Sequence, residues 1–159
     1  MVYRVFWRES VLKVYVKNIK VSDLRKGEIT KAVRFFASKL MTKRLADSLT
    51  INIIFDTEMN FAGLCTWVDD YVRPKEFEIT INPNHHEPDL LSIAHEMVHA
   101  KQYARGELKE LISLPGQVNW KGVRKELVNE GEGYMDQPWE IEAYAKEHVL
   151  YREYILENA

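Results

Sequence analysis

The chain has 159 residues, 46% of them hydrophobic and 29% charged, which is the length and balance of one soluble globular domain over 1–159 rather than a disordered segment. A formal net charge of −2 and a pI near 6.2 argue against nucleic-acid and membrane-surface partners, which call for a basic excess. Cys65 is the only cysteine, so an internal disulfide and a thiolate-based zinc site are both excluded.

Between Leu64 and Trp67, Cys65 reads as a small core residue. The opening MVYRVFWRES lacks a signal-peptide apolar core, and no apolar run approaches about 18 residues, so the cytoplasm is the expected location. The first predicted strand is VLKVYVK, 11–17. A helix is expected over 28–44, where Ile29, Val33, Phe36 and Leu40 recur at helical spacing. Its basic stretch 39–44 reads as a solvated face.

LTINIIF, 49–55, is β-branched and apolar, a buried strand. Two more strands are expected at 63–68 and 76–82, the second alternating Phe77, Ile79, Ile81 against Glu78, Thr80, Asn82. After the turn 83–88, Asp89 is a candidate cap for a helix over 90–105, ended by Gly106. The stretch 107–136 is rich in turn residues, with a hairpin expected around 119–122. A last helix, capped by Asp136 or Gln137 and opened by Pro138, runs to about 156. The whole reads as α+β.

Residues 95–99 are His-Glu-Met-Val-His. The i, i+4 spacing stacks two imidazoles on one helix face, within reach of one metal ion. Glu96 beside them is placed to take a proton from a metal-activated water. At 100° per residue, His95, His99 and Gln102 share a stripe, while Leu90, Ile93, Met97, Ala100 and Ala104 form the opposite, wholly apolar one.

A catalytic zinc takes three protein ligands and leaves one position open. His85 and His86 read as exposed loop residues, and His148 as a packed or half-exposed histidine of the last helix. The stronger candidates are Glu140 and Glu142. On the helical wheel Glu142 joins Lys146, Glu153 and Glu157 on a charged, water-facing stripe. Glu140 lies roughly opposite, with Tyr144, Glu147, Tyr151 and Tyr154, where a carboxylate needs a partner or a metal. Glu140 is therefore preferred as the third ligand, and Glu147, on the same face, could orient a histidine.

His-Glu-Met-Val-His-Ala followed by Glu140-x-x-Ala143 resembles the gluzincin metallopeptidases. In that clan a glutamate on a downstream helix completes the zinc site, commonly with Ala three residues later and an acid or Asn four later. Here the fourth position is Tyr144, and Glu147 is the nearest substitute acid. HEMVHA also looks like the SprT-like proteases, but those use a third histidine soon after the motif, and none lies between His99 and His148. The segment from Lys101 through Trp120-Lys121-Gly122 to Pro138-Trp139-Glu140-Ile141-Glu142-Ala143 is similar to small, uncharacterised phage and bacterial metallopeptidases. This likeness covers roughly the last 75 residues.

The resemblance implies a minimal zincin-like fold: a small twisted mixed sheet, an N-terminal helix, an HExxH helix and a C-terminal ligand-bearing helix. It implies one zinc ion per chain on His95, His99 and Glu140, with Glu96 as general base in peptide-bond hydrolysis. A peptide or protein is the expected substrate, and a monomer the expected state, in the host cytoplasm if the source is a phage. Related enzymes steady the carbonyl oxygen with a Tyr or His, a role for which Tyr134 is the candidate here. The resemblance also places the sheet's edge strand just before the HExxH helix, at 76–82, with Glu78 and Thr80 near the cleft. The alternative is a zinc-stabilised binding module of the same fold without turnover. An intact Glu96 counts against it, because structural zinc has no use for a base.

Overall fold

The computed structural model describes residues 11–17 and 20–159. The opening decapeptide, read above for its lack of a signal-peptide core, lies outside the described residues. The apolar runs form a mixed sheet of four strands, β1 (Lys13–Val16), β2 (Thr50–Phe55), β3 (Gly63–Trp67) and β4 (Glu76–Ile81), in the order β1-β2-β4-β3. β1 and β2 run parallel with Lys13 opposite Thr50, and β2 and β4 run parallel with Ile51 opposite Phe77. β3 is antiparallel to β4, with Cys65 opposite Ile79.

Parallel neighbours need a crossover. Between β1 and β2 it is supplied by α1 (Asp23–Leu40) and the short α2 (Lys43–Asp47). Ile29, Val33 and Phe36 of α1 meet Ile51, Ile53, Phe77, Ile79 and Ile81 of the sheet, all fully buried. Ile93 and Met97 of α3 (Asp89–Ala104) complete this core. Glu78 and Thr80, on the other face of β4, stay half-buried, as the strand's alternation requires. Buried Asn52 meets its polar needs locally, its amide donating to Glu76 Oε1 at 3.1 Å and to the Phe77 carbonyl at 3.2 Å.

Three expectations need correcting. The 28–44 helix starts five residues earlier and stops at Leu40. Ser22 Oγ accepts from the Arg25 amide at 3.2 Å and caps α1, whereas Met41 and Thr42 are extended, and Thr42 Oγ1 starts α2 by accepting from the Leu45 amide. The basic stretch straddles this break, with Lys39, Lys43 and Arg44 all solvent-exposed. The strand at 76–82 is not an edge: β4 lies between β2 and β3, and among the described residues β1 and β3 are the outer strands. Neither Asp89 nor Gln137 caps its helix through its side chain. Pro88 takes the N-cap position before α3, and Gln137 uses its amide on the backbone of Val128 and Tyr134 instead.

The 107–136 stretch holds a second sheet, β5 (Leu108–Glu110), β6 (Gln117–Trp120) and β7 (Val123–Glu126), antiparallel throughout. The expected hairpin is its β6–β7 turn, where Lys121 and Gly122 both adopt positive φ, of 47° and 85°. Leu108 and Val118 of this sheet pack on Trp139 of α4 (Pro138–Glu157). α4 lies along α3, so that α3 is buried on its ligand side as well as on its apolar side. Among the described residues no helix is long and apolar enough to cross a membrane.

Candidate metal centre

The seam between α3 and α4 is polar and densely hydrogen-bonded. Leu90, Ile93, Met97, Ala100 and Ala104 lock α3 into the core, which turns His95 and His99 toward α4. Glu140 stands in the first turn of α4, where the helix N-terminus favours a carboxylate. His95 Nε2 lies 3.1 Å from Glu140 Oε2, His99 Nε2 lies 3.1 Å from Glu140 Oε1, and the two Nε2 atoms are 3.2 Å apart. These three side chains, all buried, form a group that could hold a metal ion.

The surrounding hydrogen bonds fix the state of both rings. Gln102 Nε2 donates to the Trp139 carbonyl and to Glu142 Oε1, each at 3.0 Å, so its carbonyl oxygen must face His99 Nδ1, at 2.8 Å. His99 Nδ1 is therefore the protonated nitrogen. His95 Nδ1 meets the carboxylate of Glu147 at 2.7 Å and must also carry a proton. In neutral rings both Nε2 atoms then present lone pairs, toward each other and toward a carboxylate. Three Lewis bases at this separation repel unless a cation sits among them. A metal ion held about 2.1 Å from each of three ligand atoms at tetrahedral angles sets them about 3.4 Å apart, close to the 3.2 Å between the two Nε2 atoms and the 3.1 Å from each to one oxygen of Glu140.

Without a metal, protons fill that place. Burial lowers the pKa of His95, but its hydrogen bonds to Glu140 and Glu147 outweigh burial and push it up to about 10. His99 is raised in the same way, against its burial, by Glu140. Glu140 is held well below the usual carboxylate range, its hydrogen bonds from His95 and His99 overcoming burial. Cation and proton thus compete for one set of atoms.

Glu96 is buried and faces the same cavity, of about 640 Å³. Burial raises its pKa, and the two histidines only partly oppose this. Its room comes from Gly63 at the start of β3: a Cβ there would lie 3.0 Å from Glu96 Oε1 and 3.1 Å from its Cγ. Tyr134 donates its phenolic hydrogen to Glu140 Oε1 at 3.0 Å and lines the cavity. Burial and the Glu140 charge raise its pKa, which keeps the donor protonated. The ring of Tyr144 stands edge-on to His95, with centroids 4.6 Å apart.

Other candidates lie elsewhere. His85 and His86 pair with each other in the loop before α3, and His148 is exposed on the outer side of Glu147, at 3.1 Å from its Oε1. Glu142 does not face open water. Lys101, whose Nζ also lies 2.8 Å from Glu107, donates to Glu142 at 2.9 Å, and the expected Lys146 contact is the longer one at 3.5 Å. Lys101, Gln102 and Gly63 are the participants that sequence reasoning left without roles. Gln102 alone carried a signal, its place on the histidine stripe.

Comparison with family models, with curated proteins and with solved structures finds no match to this chain.

Proposed function

We propose that the chain is a zinc-dependent metallopeptidase of the gluzincin kind, with His95, His99 and Glu140 as ligands and Glu96 as general base. The observation that carries the reading is the convergence of two Nε2 atoms and a carboxylate, each ring's Nδ1 already hydrogen-bonded, beside a buried glutamate. Zinc bound there would supply Lewis acidity, lowering the pKa of water toward neutrality and polarising a carbonyl oxygen.

The chain's own groups supply the rest. Glu96 takes the proton of the attacking water and returns it to the leaving amine nitrogen. Glu147 and Gln102 hold the two imidazoles in the tautomer that leaves Nε2 free. Tyr134 steadies Glu140 and lines the cavity, and its single O–H would have to turn from Glu140 to donate to an oxygen that gains charge. β3 has an edge unpaired among the described residues, and 60–66 line the cavity, so an extended peptide can add as a further strand. From Ser92 to Tyr103 the cavity follows α3 for about 16 Å. That matches about five residues of extended peptide.

Elemental analysis of protein purified without chelator or added metal tests the site: about one zinc per chain is expected, and less than about half an equivalent overturns it. Glu96→Gln tests the chemistry. It should keep the zinc and lose hydrolysis of a broad peptide library. Zinc binding with no hydrolysis by either form favours the module without turnover.

A further inference from the structure

The cleft wall has a one-sided charge. Among the described residues it carries six carboxylates, Glu87, Glu96, Glu110, Glu130, Glu140 and Glu147, and no lysine or arginine. A divalent ion and the two histidines account for Glu140, Glu147 and Glu96. Glu87, Glu110 and Glu130 have no cationic partner among the described residues. Glu130 is exposed, but Glu110 is not.

Glu110 stands on β5 at the end of the cavity beyond His99, among Leu108, Val118, Leu127 and Trp139. Among the described residues its one side-chain hydrogen bond is from the Tyr103 hydroxyl at 3.2 Å, and Tyr103 lies one helical turn past His99. A half-buried carboxylate with a single neutral donor, set in apolar walls, is poorly compensated as it stands. The side chain that suits such walls has a long aliphatic stem and a cationic head. On the other side of the histidines, Ser92 of the cavity wall has its Oγ buried with no hydrogen bond among the described residues.

We propose that the end of the cleft beyond His99 is a pocket for a lysine or arginine side chain of the substrate, with Glu110 reading its charge. This inference rests on the peptidase reading for its substrate, though its test does not need turnover. The occupant is a peptide or protein segment rich in basic residues. An acidic segment would meet the uncompensated carboxylates along the whole wall.

The test uses zinc-loaded Glu96→Gln protein and three fluorescent hexapeptides that differ only in a central lysine, norleucine or glutamate. Anisotropy titration should show the lysine peptide binding at least about tenfold tighter than the norleucine peptide, and the glutamate peptide weakest. Adding Glu110→Gln should shrink the lysine advantage to below about threefold, and Glu110→Lys should favour the glutamate peptide. Circular dichroism of both variants checks that the fold is kept. If Glu110→Lys unfolds, the Glu110→Gln comparison decides alone. Equal binding of lysine and norleucine peptides overturns the proposal, as does a lysine advantage that survives Glu110→Gln or a failure of all three to bind. Hydrolysis by the native protein with no preference for basic residues sinks this inference and leaves the peptidase reading intact. A lysine preference in binding with no hydrolysis does the reverse.

Discussion

The two sides of α3 are built on different principles. Its back, packed on the sheet and α1, is held by apolar contacts, whereas its front, packed on α4, is held by directional polar contacts. The core side sets stability whatever the metal state. The seam is a device whose worth depends on what sits between His95, His99 and Glu140. Substitutions on the two sides should therefore separate in experiments that compare zinc-loaded with chelated protein.

The largest effect belongs to the core. Phe36→Ala removes a fully buried ring that packs edge-on against Tyr154, and is expected to cost about 3–5 kcal/mol. Denaturant unfolding should give the same loss with zinc and with chelator. A loss seen only in the loaded protein would mean that core and seam are not separable.

On the seam, Glu140→Ala is expected to weaken zinc binding by more than about 100-fold, exceeding the range for an outer-shell partner. Competition against a chromophoric chelator reads it directly, and the stability gained on adding zinc should shrink with it. Glu147→Gln comes next, at about 10–100-fold, because an amide no longer requires a proton on His95 Nδ1. If the two variants rank in the opposite order, Glu147 rather than Glu140 holds the ion.

Gly63→Ala probes the cleft without touching a ligand. The added methyl must displace the Glu96 carboxylate by a few tenths of an ångström or push Ile81. Turnover is expected to fall about tenfold while zinc content stays at one per chain. Loss of zinc together with turnover would show that β3 supports the ligands and not the base.

How much of this could be read from the sequence depended on the range of the interaction. The apolar stripe of α3, the strands at β2 and β4 and the start of α4 at Pro138 follow from local periodicity and turn chemistry, and they lie within a residue or two of expectation. The histidine pair and the inward glutamate share stripes for the same reason, and the structure brings all three together. Strand order was out of reach. The alternation Phe77, Ile79, Ile81 says that one face of β4 is buried, which is equally true of an edge and of an inner strand. β5, three residues long, is too short to show a period. The break at Met41 was present as Thr42 before Lys43, but the apolar spacing running through Leu40 and Met41 hid it. Gly63 meets Glu96 only through tertiary packing.

Glu142 shows where the wheel stops being informative, and it carries the smallest expected effect. The wheel separates it correctly from Glu140 by angle, but angle does not name the neighbour that a face meets. Here the neighbour is α3, whose buried Lys101 needs a counter-charge and finds both Glu107 and Glu142. Glu142→Ala leaves Lys101 with Glu107 and leaves Gln102 bonded to the Trp139 carbonyl, so one Gln102 N–H loses its acceptor. A cost of about 1–2 kcal/mol is expected, with zinc affinity changed by less than about tenfold. Because the tether joins the two helices outside the ligand triangle, the cost should be alike with zinc and with chelator, as for Phe36→Ala but smaller. A zinc-affinity loss as large as that of Glu140→Ala would place Glu142 inside the metal site and undo the division between the two carboxylates.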